Sequence, residues 1–394
     1  MLYKKIYLSP KKEESIKRFH PWIFSGAIHY AEGTPEEGEI VEIYDSQANF
    51  LALGHCQIGS IAVRILTFQN EPVNDLFWEK RFETAFQLRQ SLGLSYSRNN
   101  TYRLIHGEGD SMPGLIVDIY GNTAVMQAHS PGMHIIRDKL ARALKKIMGN
   151  TIENIYYKSE NTLPYKAGLE AENTYLTGGE NPSGIAVENG LRFRVDWIKG
   201  QKTGFFIDQR DNRSLLEKYA DRRNVLNLFC YTGGFSCYAL RGGARLVHSV
   251  DSSSKAVLLT DENVRLNFPG NNRHQSFVED AFKYLKKTAS SYDLIVLDPP
   301  AFAKHRDVLR NALQGYRKLN VAALEKIQSG GILFTFSCSQ AVSREDFRLT
   351  VFSAAAQAKR KVKILHQLAQ PADHPVDIYH PEGEYLKGLV LAVE

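Results

Sequence analysis

A thiol and a carboxylate each stand at the end of an apolar run in this chain. Phe334-Thr335-Phe336-Ser337 climbs to Cys338, and Leu294 to Leu297 climbs to Asp298-Pro299-Pro300-Ala301-Phe302. Such runs read as buried strands. Two of them ending in reactive polar groups point to a site at the carboxyl edge of a sheet. A thiolate there can attack an electrophilic carbon. The competing reading of Cys338 is an inert buried thiol, the commoner fate of a free cysteine. For Asp298 the competing reading is a turn residue ahead of prolines.

Other runs supply a ligand site. Asn224 to Phe229 leads into Cys230-Tyr231-Thr232-Gly233-Gly234-Phe235-Ser236, a strand, a glycine turn and a helix start. That arrangement brings backbone N–H groups close to a ligand. The turn lacks the G-x-G-x-x-G spacing of a dinucleotide site, which disfavours a pyrophosphate. The next strand ends at Asp251, spaced to accept both ribose hydroxyls of a nucleoside cofactor. The alternative for Asp251 is a helix cap before Ser252-Ser253-Ser254. A third run, Gln275 to Val278, ends at Glu279-Asp280-Ala281-Phe282, where Asp280 could take an adenine amino group and Phe282 or Ala281 could cover the ring. In order on successive strands, these residues fit S-adenosylmethionine in a class I methyltransferase.

The elements that must hold these residues fall into three stretches of a 394-residue chain. Residues 1–72 read as short alternating strands, Ile40–Tyr44, Phe50–His55 and Ile61–Leu66, fitting a small half-open β-barrel. Lys4, Lys5, Lys11, Lys12, Lys17 and Arg18 lie ahead of it, beside the aromatics of His20-Pro21-Trp22-Ile23-Phe24. A basic face with aromatics suits RNA; the alternative is a solvated surface beside a core Trp. Residues 73–185 read as a central α/β domain, with helices at Asp75–Leu92 and Ile135–Met148 and strands at Tyr102–Ile105, Leu115–Tyr120 and Ile155–Lys158. From 186 to 394 apolar runs alternate with helical stretches, the pattern of a doubly wound sheet.

Composition narrows the class without naming it. Hydrophobic residues are 43% and charged residues 23%, a globular balance. The net charge of +6 permits a polyanionic partner without demanding one. Four cysteines, Cys56, Cys230, Cys237 and Cys338, form no Cys-x-x-Cys pair, so no metal is expected. No signal segment or spanning run is visible, so the expectation is a cytoplasmic protein with reduced thiols and no membrane partner.

The whole chain resembles the RlmI family of 23S ribosomal RNA cytosine-5 methyltransferases. The matching stretches are His20 to Gly26, Gly200-Gln201-Lys202-Thr203-Gly204-Phe205-Phe206-Ile207-Asp208-Gln209-Arg210-Asp211-Asn212-Arg213, Asn227 to Ser236, Leu297 to Phe302, Ser337-Cys338-Ser339 and Tyr385-Leu386-Lys387-Gly388-Leu389. The resemblance implies a PUA domain, a central α+β domain and a Rossmann-like catalytic domain. It implies rRNA or a large-subunit assembly intermediate as substrate, and a homodimer. S-adenosylmethionine would be held by Phe206, Asp208, Arg210, Asn227, Phe229, Tyr231, Thr232, Gly233, Asp251, Asp280, Ala281 and Asp298. Asn227 stands where many methyltransferases carry an acidic residue.

C5 of cytosine is a poor nucleophile, and thiolate attack on C6 makes it a good one. Cys338 is the nucleophile in this reading. Asp298 would meet N4 or share a proton with N3. Lys202, Pro299, Pro300, Phe302 and Lys304 would touch the substrate, with Phe302 stacking on the extruded base and Lys304 and His305 on a phosphate. Cys230 would pack near the cofactor turn. Three rivals differ in what they need. Nitrogen methylation on guanine or adenine shares Asp-Pro-Pro but requires no thiol. A non-catalytic PUA-type RNA-binding protein requires neither cofactor nor nucleophile positions. A nicotinamide dehydrogenase requires the missing phosphate fingerprint.

Overall fold

The computed structural model describes residues 3–95, 98–164, 167–179, 184–289, 291–303 and 306–394. They form two compact units. One is Met1–Val187, Val195–Phe205 and Ala372–Gly383; the other is Glu188–Arg194, Phe206–Pro371 and Glu384–Glu394.

The first unit opens with a six-stranded sheet in the order Trp22–Phe24, Ile61–Thr67, Phe50–Cys56, Ile40–Tyr44, Lys4–Leu8, Ile28–Ala31. Alternation along Ile40–Tyr44 buries Val41 and Ile43 against Ile6, Leu8 and Val63. A five-stranded sheet follows, ordered Thr174–Thr177, Asn154–Tyr157, Thr123–Ala128, Leu115–Tyr120, Thr101–His106. Thr123–Ala128 escapes a pattern reading because every residue in it is buried, so nothing alternates. The expected helix over Ile135–Met148 is instead two, Pro131–Ile135 and Arg137–Met148, interrupted at Ile136 (φ −94°, ψ 12°). Helix Asp75–Ser91 is capped by the Asn74 side chain, which accepts from the Phe77 N–H, and it buries Phe77, Trp78, Phe82 and Ala85.

The same helix buries Arg89 completely, and its guanidinium anchors the late segment Asp373-His374-Pro375. The Arg89 guanidinium forks onto Asp110 (Nη2 to Oδ2, 2.8 Å), and also donates to the Arg103 and Asp373 carbonyls, both at 2.8 Å. Asp373 Oδ2 accepts from the Arg103 N–H at 3.0 Å, and Oδ1 pairs with His374 Nδ1 at 3.0 Å. A Cβ on Gly109 would lie 1.9 Å from the Pro375 carbonyl oxygen. This late segment is thus stapled into the first unit by a buried charge network.

His55 makes the first unit acid-sensitive. Its ring is buried, neither nitrogen has a hydrogen-bond partner among the described residues, and it stacks 6.1 Å from the Trp78 ring. Burial lowers its pKa from 6.5 to about 4. Between those values the unfolded chain binds the proton and the folded one does not, so stability falls as pH falls from 6.5 toward 4. Going from pH 7 to pH 5 should cost about 2 kcal/mol from His55 alone. The three tryptophans, Trp22, Trp78 and Trp197, all lie in this unit, so tryptophan fluorescence during urea unfolding reads it selectively. His55→Leu should remove that part of the pH dependence; an unchanged slope would refute it.

The second unit is a seven-stranded sheet. In chain order its strands are β1 (Asn224–Leu228), β2 (Leu246–Asp251), β3 (His274–Val278), β4 (Tyr292–Leu297), β5 (Ile327–Ser337), β6 (Val362–Leu368) and β7 (Lys387–Val393). They lie in the order β3-β2-β1-β4-β5-β7-β6. β1 to β5 run parallel, while β7 runs antiparallel between β5 and β6. The helices are α1 (Arg210–Tyr219), α2 (Gly234–Arg241), α3 (Ser254–Asn267), α4 (Ala281–Lys287), α5 (Leu309–Lys326) and α6 (Arg344–Gln357). β5 begins at Ile327, ahead of the expected Ile332, because Gln328 to Gly331 is strand rather than turn. Gly330 takes φ +80°, and the ladder slips between Tyr292 and Leu294. Leu228 pairs with Val250 and Leu297, and Leu297 with Thr335, so β1, β2, β4 and β5 end at one edge. The chain winds outward from β1 through β3, then returns to β4 on the other side. The crevice between β1 and β4 is therefore a topological switch point, where such sheets bind ligands.

Candidate active site at the switch point

The turn after β1 holds strained backbone. Phe229, Tyr231 and Gly233 all have positive φ, at 59°, 47° and 78°. For Phe and Tyr that conformation is costly, and strain of this kind collects at ligand sites. The surroundings hold it in place. Tyr231 donates its N–H to Asp251 Oδ2 (3.0 Å) and accepts at its carbonyl from Thr260 Oγ1 (2.8 Å). The buried Thr232 accepts at its carbonyl from Asn263 Nδ2 (2.9 Å). A Cβ on Gly233 would lie 2.7 Å from Thr260 Cγ2, so α3 leaves room only for glycine there. Cys230 is buried with its sulfur 3.6 Å from Thr260 Oγ1, a packing role.

Asp251 is not a helix cap; Ser253 caps α3. Its carboxylate at the end of β2 takes one N–H on each oxygen, from Tyr231 and from Ser253 (2.9 Å). Asn227 is buried in β1 and donates to Ser236 Oγ (2.9 Å), which continues to Ser249 Oγ (2.6 Å). Among the described residues Asn227 Oδ1 has no partner.

The stretch before α1 works as a scaffold. Arg213 forks onto the fully buried Glu188 (2.9 and 2.6 Å), which also accepts from the Tyr238 hydroxyl (2.9 Å). Its other terminal nitrogen holds the Phe206 carbonyl at 2.9 Å, and the Phe206 ring meets the edge of Tyr231 at 5.1 Å. Gln209 donates to Asp298 Oδ1 (3.0 Å) and is itself braced by Asn212 (2.7 Å). Asp208 Oδ2 accepts from the Tyr385 hydroxyl (2.7 Å), while Oδ1 is buried without a partner among the described residues. Arg210 is buried, with Nε 3.3 Å from Asp211.

Asp298 and Cys338 leave neighbouring strands at the same edge. Burial, then the Asp208 carboxylate, raise the Asp298 pKa from 3.8 to about 7, against the Gln209 hydrogen bond. Cys338 is half-buried, its sulfur 3.9 Å from the Pro299 carbonyl oxygen. Burial, then Asp298 and Asp208, push its thiol up to about 12. The chain beyond it is pinned: Ser339 Oγ takes the Ala303 N–H (3.2 Å) and pairs with the Tyr316 hydroxyl (2.9 Å).

Several expected contacts are placed differently. Asp280 is exposed and caps α4, Oδ1 accepting from the Lys283 N–H at 3.0 Å, while Ala281 is buried. Phe302 turns into the core, its ring 4.6 Å from Tyr316, so that face is not open for a base. Pro299 is buried and Pro300 exposed. Lys202 belongs to the first unit, exposed and in left-handed backbone (φ 51°). Lys304 and His305 lie outside the described residues. Gln209, Tyr385 and Lys387 were missed as site residues. Their sequence neighbours flagged the stretches, but nothing local showed which polar side chain turns inward.

The residues present fit S-adenosylmethionine. Asp208, Asp251 and Asp298 gather negative charge, which suits a ligand with an ammonium, a sulfonium and ribose hydroxyls and repels a pyrophosphate. Two buried acceptors, Asp208 Oδ1 and Asn227 Oδ1, await donors. Fold and site are those of an S-adenosylmethionine-dependent methyltransferase, and residues 138–389 match the model of that family; residues 6–68 match that of a PUA-like domain. Proteins named ribosomal RNA large subunit methyltransferase I from Tolumonas auensis and Alteromonas mediterranea are 41% and 38% identical, with 98% of this chain and 98% of each relative covered. The chain belongs to the ribosomal RNA large subunit methyltransferase I family. It is also similar to the crystal structure of SMU.776 complexed with SAH, at 25% identity, a TM-score of 0.85 and coverage of 98% and 99% of the two chains. Among the described residues no helix is long and apolar enough to cross a membrane.

Proposed function

We propose that this chain methylates C5 of a cytosine in 23S ribosomal RNA, with Cys338 as nucleophile and Asp298 at the pyrimidine ring. S-adenosylmethionine, when bound, supplies an electrophilic methyl group. Cys338 Sγ, as thiolate, bonds to C6, and the electron pair of the C5=C6 bond makes C5 nucleophilic. Asp298 takes the N4 amino group or shares its proton with N3 as the ring gains charge. Once C5 is methylated, loss of its proton re-forms C5=C6 and expels the thiolate. Phe229, Tyr231, Gly233 and Asp251 hold the cofactor's nucleoside, and Asp208 and Asp298 its cationic groups.

The observation that carries this reading is the thiol beside a carboxylate of raised pKa, at adjacent strand ends beside the switch point. We further propose that residues 1–72 bind RNA, that 73–185 are the central domain, that 186–394 are the catalytic domain apart from Val195–Phe205 and Ala372–Gly383, which belong to the first unit, and that the enzyme works in the cytoplasm on rRNA or an assembly intermediate. The test is incubation with radiolabelled S-adenosylmethionine and undermethylated 23S rRNA, followed by digestion to nucleosides. Label in 5-methylcytidine is the expected result. Label in a methylguanosine or methyladenosine would overturn it in favour of nitrogen methylation, which needs no thiol.

A further inference from the structure

We infer that Lys387 is a positioning residue for Cys338: a buried cation that biases the thiol toward thiolate and fixes the backbone just beyond it. The inference rests on the reading of Cys338 as nucleophile for its purpose, though not for its test.

Lys387 is the first residue of β7 and pairs with Ser337, the last of β5. Its neighbour Gly388 lets the strands close up, since a Cβ there would sit 2.6 Å from the Phe336 ring. Lys387 is only 4% exposed, and its ammonium donates to the Ser339 carbonyl at 2.6 Å. A buried lysine carries a desolvation cost, so its retention calls for a local purpose. One carbonyl contact would be served as well by a neutral donor.

The charges around the thiol supply that purpose. From β4 and from the stretch before α1, Asp298 and Asp208 face Cys338, and both oppose its ionisation. Tyr316 of α5 also couples to it. Lys387 is the cation set against them from β7. Around Lys387 itself, Arg344 disfavours its charge, while Cys338 and Glu384 favour it. Arg344 is engaged with Glu384 and with the Leu368 carbonyl (3.1 Å). Burial lowers Lys387 from 10.5 to about 8, so it is still largely charged near neutral pH. Its positive charge lowers the thiol pKa, and its loss raises it.

The experiment uses the full chain without RNA. Iodoacetamide is reacted with Cys338 from pH 6.5 to 10, and the modified peptide is followed by mass spectrometry. The thiolate sulfur bonds to the methylene carbon, iodide leaves, and the thiol proton goes to solvent. Lys387→Gln keeps a donor for the Ser339 carbonyl but removes the charge. Its alkylation should slow about tenfold at pH 7, and the gap should close above pH 8, where wild-type Lys387 gives up its own charge. Lys387→Arg should stay near wild type. SAH binding by calorimetry verifies folding, and Lys387→Met serves if Lys387→Gln does not bind. A wild-type profile in either folded, neutral variant overturns the inference. Because no methyl transfer is read, the inference can fail while cytosine methylation stands, and the reverse.

Discussion

Cys338→Ala is expected to abolish methyl transfer to RNA while leaving S-adenosylmethionine affinity within about twofold of wild type. The side chain is small and half-buried, so truncation removes one sulfur and little packing. Among the described residues the turn after β1, Asp251 and the Asp208 pair with Tyr385 make no hydrogen bond to it. The chemistry has no substitute. Without a bond at C6, C5 stays part of an aromatic ring, and restoring its nucleophilicity by other means would have to offset at least about 4 kcal/mol, or three decades in rate. The check is single-turnover transfer of radiolabelled methyl to rRNA, alongside calorimetric cofactor binding. Turnover at wild-type rate would remove covalent catalysis by Cys338 and leave nitrogen methylation as the better reading. Loss of cofactor binding as well would mean that the residue supports the fold of the β5 edge.

Cys338, Asp298 and Asp251 were legible because each ends a run of apolar residues, and in a parallel sheet those ends share an edge. Only the fold separates Asp251 from the cap reading, because Ser253 has an equally suitable side chain and takes the cap. Phe302 misled for the opposite reason. A phenylalanine after Asp-Pro-Pro looks available, but Tyr316 and Gly315 of α5 form the surface it packs on, and no local pattern announces that pairing. Lys387 and Gln209 were beyond reach of pattern reading. A lysine at the start of an apolar strand reads as a solvated end, and only the antiparallel placement of β7 against β5 turns it inward. Thr123–Ala128 was lost because burial on both faces erases the period that marks a strand. Asp373 lies far along the chain from Arg89, so no local pattern marks their pairing.

Asp298→Asn is expected to separate stability from function, in a direction set by pH. The folded chain holds the Asp298 proton up to about pH 7, whereas the unfolded chain releases it near 3.8. Between those values the folded state binds more protons, so stability falls as pH rises through the window. The contribution is complete below pH 3.8 and gone above pH 7. Asparagine cannot ionise and can still accept from Gln209, so the variant should be the more stable protein at pH 8 and no more stable at pH 4. The full shift would be worth about 4 kcal/mol. Asp298 is half-buried, so a gain of about 2 kcal/mol is the reasonable figure. The second unit carries no tryptophan, so the gain is read by hydrogen exchange of β1 and β4 amides rather than fluorescence. The cost appears at the ligand. A cation stabilises the carboxylate form, so wild-type affinity for S-adenosylmethionine should rise about three- to tenfold from pH 6 to pH 8, with proton release. SAH lacks the sulfonium charge and should show a smaller slope, and Asp298→Asn should flatten both. Transfer by the variant should fall about a hundredfold or more, as expected when a group that meets charge developing on the reacting ring is lost. A wild-type affinity independent of pH, together with a destabilised variant at pH 8, would place Asp298 outside the site and return it to the role of a turn residue ahead of its prolines.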